Sequence, residues 1–214
     1  MTEIAALMRA ARLIPVLTIE DSAHAVPLAK ALVAGGVRML EVTLRTKAGA
    51  EAARRISEEV PNAIVGFGTV LSGADLDVAE KLGLRFAFSP GASPALLDAA
   101  KGRALPFVPG IQTASEYMAA AERGFTIAKF FPAEPAGGIP ALKALAGPFP
   151  QAQFCPTGGI AEDRVAAWLD QPNVLAVGGS WLATAADIRR GDWAALTQRA
   201  EKALARLQPQ EIPA

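Results

Sequence analysis

The sequence predicts an α/β chain folded as a (β/α)8 TIM barrel with an N-terminal capping helix, one domain over residues 1–214. Three observations carry that reading. Short β-type runs alternate with helical stretches, which implies a parallel sheet. Eight such runs fit into a chain of 214 residues, near the low end of the size range for a closed barrel. Glycines close several helical stretches, at Gly35-Gly36, Gly83, Gly124 and Gly147, where a left-handed cap is favoured. A doubly wound open sheet produces the same alternation and stays open as the structural alternative.

The elements follow in order. Thr2–Arg12 reads as a short helix covering the bottom of the barrel. Strands are expected at Leu13–Ile19, Met39–Leu44, Ala63–Thr69 and Arg85–Ser89, then at Leu105–Pro109, Thr126–Phe131, Gln153–Pro156 and Val174–Val177. Helices are expected between them, among them Ala23–Ala34, Ala48–Val60 and Ala74–Leu82. Turns open just after strands at Ser89-Pro-Gly91, Pro109-Gly110, Thr157-Gly-Gly159 and Gly178-Gly-Ser180. Gln208–Ala214 reads as a loose tail, and no linker or low-complexity tract interrupts the chain.

Composition narrows the function classes. The chain has 21 basic and 21 acidic residues, 51% hydrophobic residues and 20% charged ones. A balanced surface gives no electrostatic reason to expect nucleic acid or an anionic membrane as partner. No run approaches the roughly 20 apolar residues of a membrane span. Cys155 is the lone cysteine and His24 the lone histidine, so an intrachain disulfide is excluded and a His/Cys zinc site disfavoured. No Asp/Glu cluster suggests magnesium. The expectation is a cytoplasmic protein without a metal.

Lys129 stands inside the apolar run Thr126-Ile-Ala-Lys-Phe-Phe-Pro132. A strand lysine in a parallel barrel faces the interior or the helix layer, and neither is water. Desolvation favours the neutral amine, which can attack a carbonyl. The other reading is a lysine that snorkels from a strand end or binds phosphate. In Met39-Leu-Glu-Val-Thr-Leu-Arg45, alternation puts Glu41, Thr43 and Arg45 on one face and Leu40, Val42 and Leu44 on the other. Glu41 can shuttle protons and Arg45 can clamp a carboxylate, unless the two form a structural ion pair. Gly158-Gly159 and Gly178-Gly179-Ser180 follow the last two strands, where barrels often hold phosphate on backbone N–H groups. Thr69 closes Gly66-Phe-Gly-Thr69 and reads as a substrate contact or a capping turn residue. His24, Cys155 and the three tryptophans read as surface or packing residues.

With these residues in view, the chain resembles the class I 2-dehydro-3-deoxy-6-phosphogluconate (KDPG) and 4-hydroxy-2-oxoglutarate aldolases. The motifs are Leu40-Glu-Val-Thr-Leu-Arg-Thr46, Gly66-Phe-Gly-Thr69, Ser89-Pro-Gly91, Lys129-Phe-Phe-Pro-Ala-Glu134, Cys155-Pro-Thr-Gly-Gly159 and Gly178-Gly-Ser-Trp181. The resemblance implies a Schiff base on Lys129, with Glu41 as general acid/base working through water. It implies that Arg45 and Thr69 hold the pyruvyl carboxylate and neighbouring oxygens, and that Pro90 and Phe131 shape the pocket. Gly158, Gly159, Gly179 and Ser180 would cradle the phosphate. It further implies a homotrimer, no metal, and cleavage of a phosphorylated 2-oxo acid to pyruvate and glyceraldehyde 3-phosphate, as in the Entner–Doudoroff pathway. The same chemistry on 4-hydroxy-2-oxoglutarate or the phosphogalactonate epimer is the near alternative. A non-catalytic phosphosugar-binding barrel and a phosphosugar isomerase or epimerase are remoter ones. Phe67 departs from the family's small residue between two glycines, and if alternation holds through Thr69 it narrows the pocket or lies beneath it.

Overall fold

The computed structural model describes residues 2–207; the expected tail at 208–214 lies outside the described residues. Every strand pair among those residues is parallel. The strands are β1 (Leu13–Leu17), β2 (Met39–Thr43), β3 (Ile64–Gly68), β4 (Phe86–Phe88), β5 (Phe107–Val108), β6 (Gly110–Ile111), β7 (Ile127–Phe130), β8 (Gln153–Phe154) and β9 (Val177–Gly179). A six-stranded sheet runs β5-β4-β3-β2-β1-β9, and a three-stranded sheet runs β6-β7-β8. Parallel bridges Phe154↔Val174 and Thr157↔Gly178 tie the end of the second sheet to the segment leading into β9.

Alternation along the strands sorts their side chains into two layers. On β1, β2 and β7, Ile14, Met39 and Ile127 join Phe86, Phe88, Val108 and Cys155 in an inner cluster. Helix Glu3–Ala11 adds Ile4, Ala5 and Met8 to that cluster. Thr2 caps this helix by accepting from the Ala5 N–H. The opposite faces, with Leu40, Val42, Val65, Phe67, Ala128 and Phe130, pack in the larger cluster against the surrounding helices. Runs buried on both faces are why these strands read as continuous apolar segments.

The expected elements mostly recur with shorter bounds, and three differ instructively. One strand was expected at Leu105–Pro109, but two short ones flank Pro109. Proline has no N–H for a ladder, so β5 pairs with β4 before it and β6 pairs with β7 after it. The last strand begins at Val177 instead of ending there, and runs through Gly178 and Gly179. The helix expected from Ala23 starts as a 3-10 turn over Ser22–His24, with Asp21 accepting from the Ala23 N–H, and becomes α-helical at Ala25.

Candidate active site

β2 and β7 place their polar side chains on the inner face. Lys129 follows Ile127 by two residues and so points inward with it. Glu41 stands two residues after Met39, in register with Val16 on one side and Gly66 on the other. The Lys129 Nζ donates to Glu41 Oε1 at 2.7 Å, across 88 residues of chain. Side-chain exposure is 5% for Lys129 and 1% for Glu41. The amine also lies 5.7 Å from the centre of the Phe88 ring and 5.5 Å from that of Phe131, within cation–π range. Glu41 Oε2 is buried and has no hydrogen-bond partner among the described residues.

Space for the carboxylate comes from β3. A Cβ on Gly68 would run into Glu41 Oε1, so that position admits no side chain while Glu41 holds this rotamer. Phe67 faces the helix layer, fully buried in the outer cluster, and does not border the site. The alternation that would have paired it with Thr69 ends at Gly68, because Thr69 takes a positive φ of 61°. A β-branched residue in that region is strained, and such strain concentrates at functional sites.

A cavity of about 370 Å³ is joined to the pair through Phe131, which lines it and lies 5.5 Å from the amine; Lys129 and Glu41 are not themselves among its walls. Its walls include Arg45, Phe131, Gly158, Gly159, Gly179 and Ser180, together with Val16 and Thr157. Arg45 reaches it from the turn that follows β2, not from the strand itself. Thr43, on the strand, instead donates its hydroxyl to the Leu17 carbonyl of β1 at 2.9 Å, and Thr46 donates to the Ile19 carbonyl at 2.5 Å, fastening the turn to the segment just after β1. Glu41 is buried and paired with Lys129 while Arg45 is exposed at the cavity wall, so the two do not form the ion pair that sequence left open.

The glycine loop is oriented by its carbonyls. The Ala133 N–H donates to Thr157 O at 2.8 Å and the Glu134 N–H to Gly158 O at 3.0 Å. In a trans peptide the N–H points opposite to the C=O. The N–H groups of Gly158 and Gly159 are therefore turned away from the 133–134 segment, and among the described residues neither donates to a backbone carbonyl. With φ of 101° and 77°, these positions favour glycine. Successive free N–H groups of this kind form a concavity suited to an anion. Ser180 adds an exposed hydroxyl from the end of β9.

Thr69 and Pro90 stand at the C-terminal ends of β3 and β4, half-buried, and are not among the walls shared with Arg45. Sequence reasoning passed over Thr157, which is 4% exposed and lines the cavity, although its Cys-Pro-Thr-Gly-Gly context was noted. It also passed over Ser89, whose buried hydroxyl accepts from the Gly110 N–H at 3.0 Å and joins the ends of β4 and β6. Among the described residues no group of three or more His, Cys, Asp and Glu side chains converges.

The family model for KDPG and KHG aldolase matches residues 4–199. The chain belongs to this family. It is 50% identical over 192 residues to the 2-dehydro-3-deoxy-phosphogluconate aldolase of Pseudoalteromonas atlantica, covering 90% of this chain and 89% of that one. To the KHG/KDPG aldolase of Escherichia coli K12 it is 49% identical over 191 residues, covering 89% and 90%. A crystal structure of the Legionella pneumophila KDPG aldolase, with pyruvate captured as a covalent carbinolamine, superposes with a TM-score of 0.91. That match has 40% identity and covers 94% of this chain and 98% of the other. The Zymomonas mobilis enzyme with 3-phosphoglycerate matches with a TM-score of 0.89 and 45% identity, covering 94% of each chain.

Proposed function

We propose that this protein is a class I aldolase that reversibly cleaves 2-dehydro-3-deoxy-6-phosphogluconate to pyruvate and glyceraldehyde 3-phosphate through an imine on Lys129. The observation that carries the reading is the buried 2.7 Å contact between Lys129 Nζ and Glu41 Oε1, linked through Phe131 to a cavity walled by a guanidinium and paired glycines. Family membership sets the reaction class, an aldehyde-lyase.

The proposed steps draw on that geometry. Glu41 Oε1 takes a proton from Lys129, and the free amine attacks the C2 ketone. Glu41 returns that proton to the carbinolamine hydroxyl, which leaves as water, so a protonated imine remains and the Glu41 carboxylate is free again. Glu41 then accepts the proton of the C4 hydroxyl, directly or through one water; its unpartnered Oε2 is the open acceptor. The C3–C4 bond breaks, glyceraldehyde 3-phosphate departs, and the electron pair passes into the enamine. Protonation at C3 and hydrolysis release pyruvate and restore the amine. The electron sink is the imine itself, so the sequence of steps calls on no metal or other cofactor.

Arg45 holds the substrate carboxylate, with Thr69 on neighbouring oxygens and Pro90 and Phe131 shaping the pyruvyl end. Gly158, Gly159, Gly179 and Ser180 hold the phosphate. Closure of the two sheets into a (β/α)8 barrel is supported by the strand handover at Pro109 and by the two bridges near β9. Helix Glu3–Ala11, packed into the inner cluster, supports a capped lower end. The single domain proposed for 1–214 is supported, within the described residues, by the bridges that tie the two sheets together. A cytoplasmic homotrimer completes the proposal; it rests on family likeness, with the 64% exposed Leu71 as apolar surface for a neighbouring protomer.

A second substrate, 4-hydroxy-2-oxoglutarate, is favoured by the name of the Escherichia coli relative, KHG/KDPG aldolase. Comparing kcat/KM for the phosphogluconate derivative, its galactonate epimer and 4-hydroxy-2-oxoglutarate tests the assignment. The phosphogluconate derivative is expected to lead. Absence of pyruvate release from all three contradicts the proposal.

A further inference from the structure

Glu134 lies outside the reacting groups, in the loop between β7 and helix Gly138–Ala146. Its backbone N–H fixes the Gly158 carbonyl at 3.0 Å, and its Cβ sits 3.0 Å from where a Cβ on Gly159 would be. Its carboxylate Oε1 accepts from the indole Nε1 of Trp168 at 2.9 Å. Trp168 is fully buried on helix Val165–Leu169, which follows the glycine loop after a 3-10 turn over Glu162–Arg164. One residue thus joins three things: the strand that carries Lys129, the glycine loop, and the helix beyond that loop.

We infer that Glu134 is a positioning residue: strapped to Trp168, it sets the orientation of the Gly158–Gly159 N–H groups and their spacing from the imine-forming amine. The inference rests on the phosphate role assigned to those glycines. It predicts a defect confined to the phosphate end of the substrate. Glu134→Ala removes the strap and leaves Lys129, Glu41 and Arg45 untouched. Glu134→Gln keeps an acceptor for the indole. Trp168→Phe keeps the packing and removes the donor.

The test combines calorimetric binding of inorganic phosphate, steady-state cleavage of the phosphorylated substrate and the rate of borohydride trapping with pyruvate. Glu134→Ala and Trp168→Phe are expected to weaken phosphate binding and raise KM about tenfold, the scale of one hydrogen bond to a charged group. Their kcat and pyruvate trapping are expected within about twofold of the parent, and Glu134→Gln is expected to match the parent in all three. Unchanged phosphate affinity in Glu134→Ala overturns the inference. So does a parallel fall in pyruvate trapping, which marks a general structural role. Failure of the parent to be trapped by pyruvate overturns the aldolase reading instead, and the phosphate arm still decides the role of Glu134.

Discussion

Two carboxylates are buried in the described residues, Glu41 and Asp187, and they are used differently. Asp187 closes the capping box of helix Ala185–Arg190, accepting from the Thr184 N–H and hydroxyl through Oδ2. Arg199 donates to the same oxygen at 2.8 Å, and Arg190 pairs with Oδ1. Both oxygens are satisfied, and the Arg199 hydrogen bond holds the carboxyl well below the usual carboxylate range. Among the described residues, Glu41 has one partner, the Lys129 amine, and one oxygen with none. Full satisfaction marks a carboxylate that holds structure. An open lone pair beside a buried amine marks one that moves protons.

Removing Lys129 breaks this comparison most severely. Lys129→Met is expected to lower kcat by a factor on the order of 10⁴ or more, as loss of a nucleophile does. It also leaves the Glu41 charge buried without its partner, at about 3–5 kcal/mol of stability. Denaturant melts and single-turnover rates check both. Glu41→Gln keeps the shape and a hydrogen-bonding group, so the loss is expected in kcat, about 10²–10⁴-fold.

Asp187→Asn is expected to do the converse, costing about 2–3 kcal/mol of stability with kcat within a few-fold of the parent. A lowered native pKa means that the Asp187 contribution is complete above the unfolded carboxyl's range near pH 4. It fades as pH falls through the lower native value. The stability gap between parent and variant should therefore be constant from pH 5 upward and shrink only in stronger acid. A gap that instead grows on acidification contradicts the assignment.

Cys155 has the smallest expected effect at neutral pH. Burial, the largest cause, pushes its thiol up to about 12. The native protein then keeps the proton while an unfolded thiol, near 9, loses it. Stability is expected to fall as pH rises between those values. Iodoacetamide at pH 8 should leave native Cys155 unmodified and label it once unfolded, as mass spectrometry can read.

How much of this was legible depends on which interactions are local. The strands announced themselves because they are buried on both faces, and the inward set of β2 followed from a period of two. β9 was misplaced because glycines carry its ladder, against strand propensity. Gly178 is needed there because a side chain would meet Thr157 across the sheet. Phe67 was drawn toward the pocket by an alternation that the positive φ of Thr69 ends. The Thr184–Asp187 box was readable as a local motif, but its third partner, Arg199, was not. The Glu134–Trp168 strap spans 34 residues and left no periodic signal.

The central claim is that Lys129 is the amine that meets the ketone. Incubation with pyruvate, reduction by borohydride and peptide mapping test it most directly. The account predicts one reduced pyruvyl adduct on the peptide containing Lys129, abolished in Lys129→Met and slowed in Glu41→Gln. An adduct on any other lysine, or none at all, contradicts it.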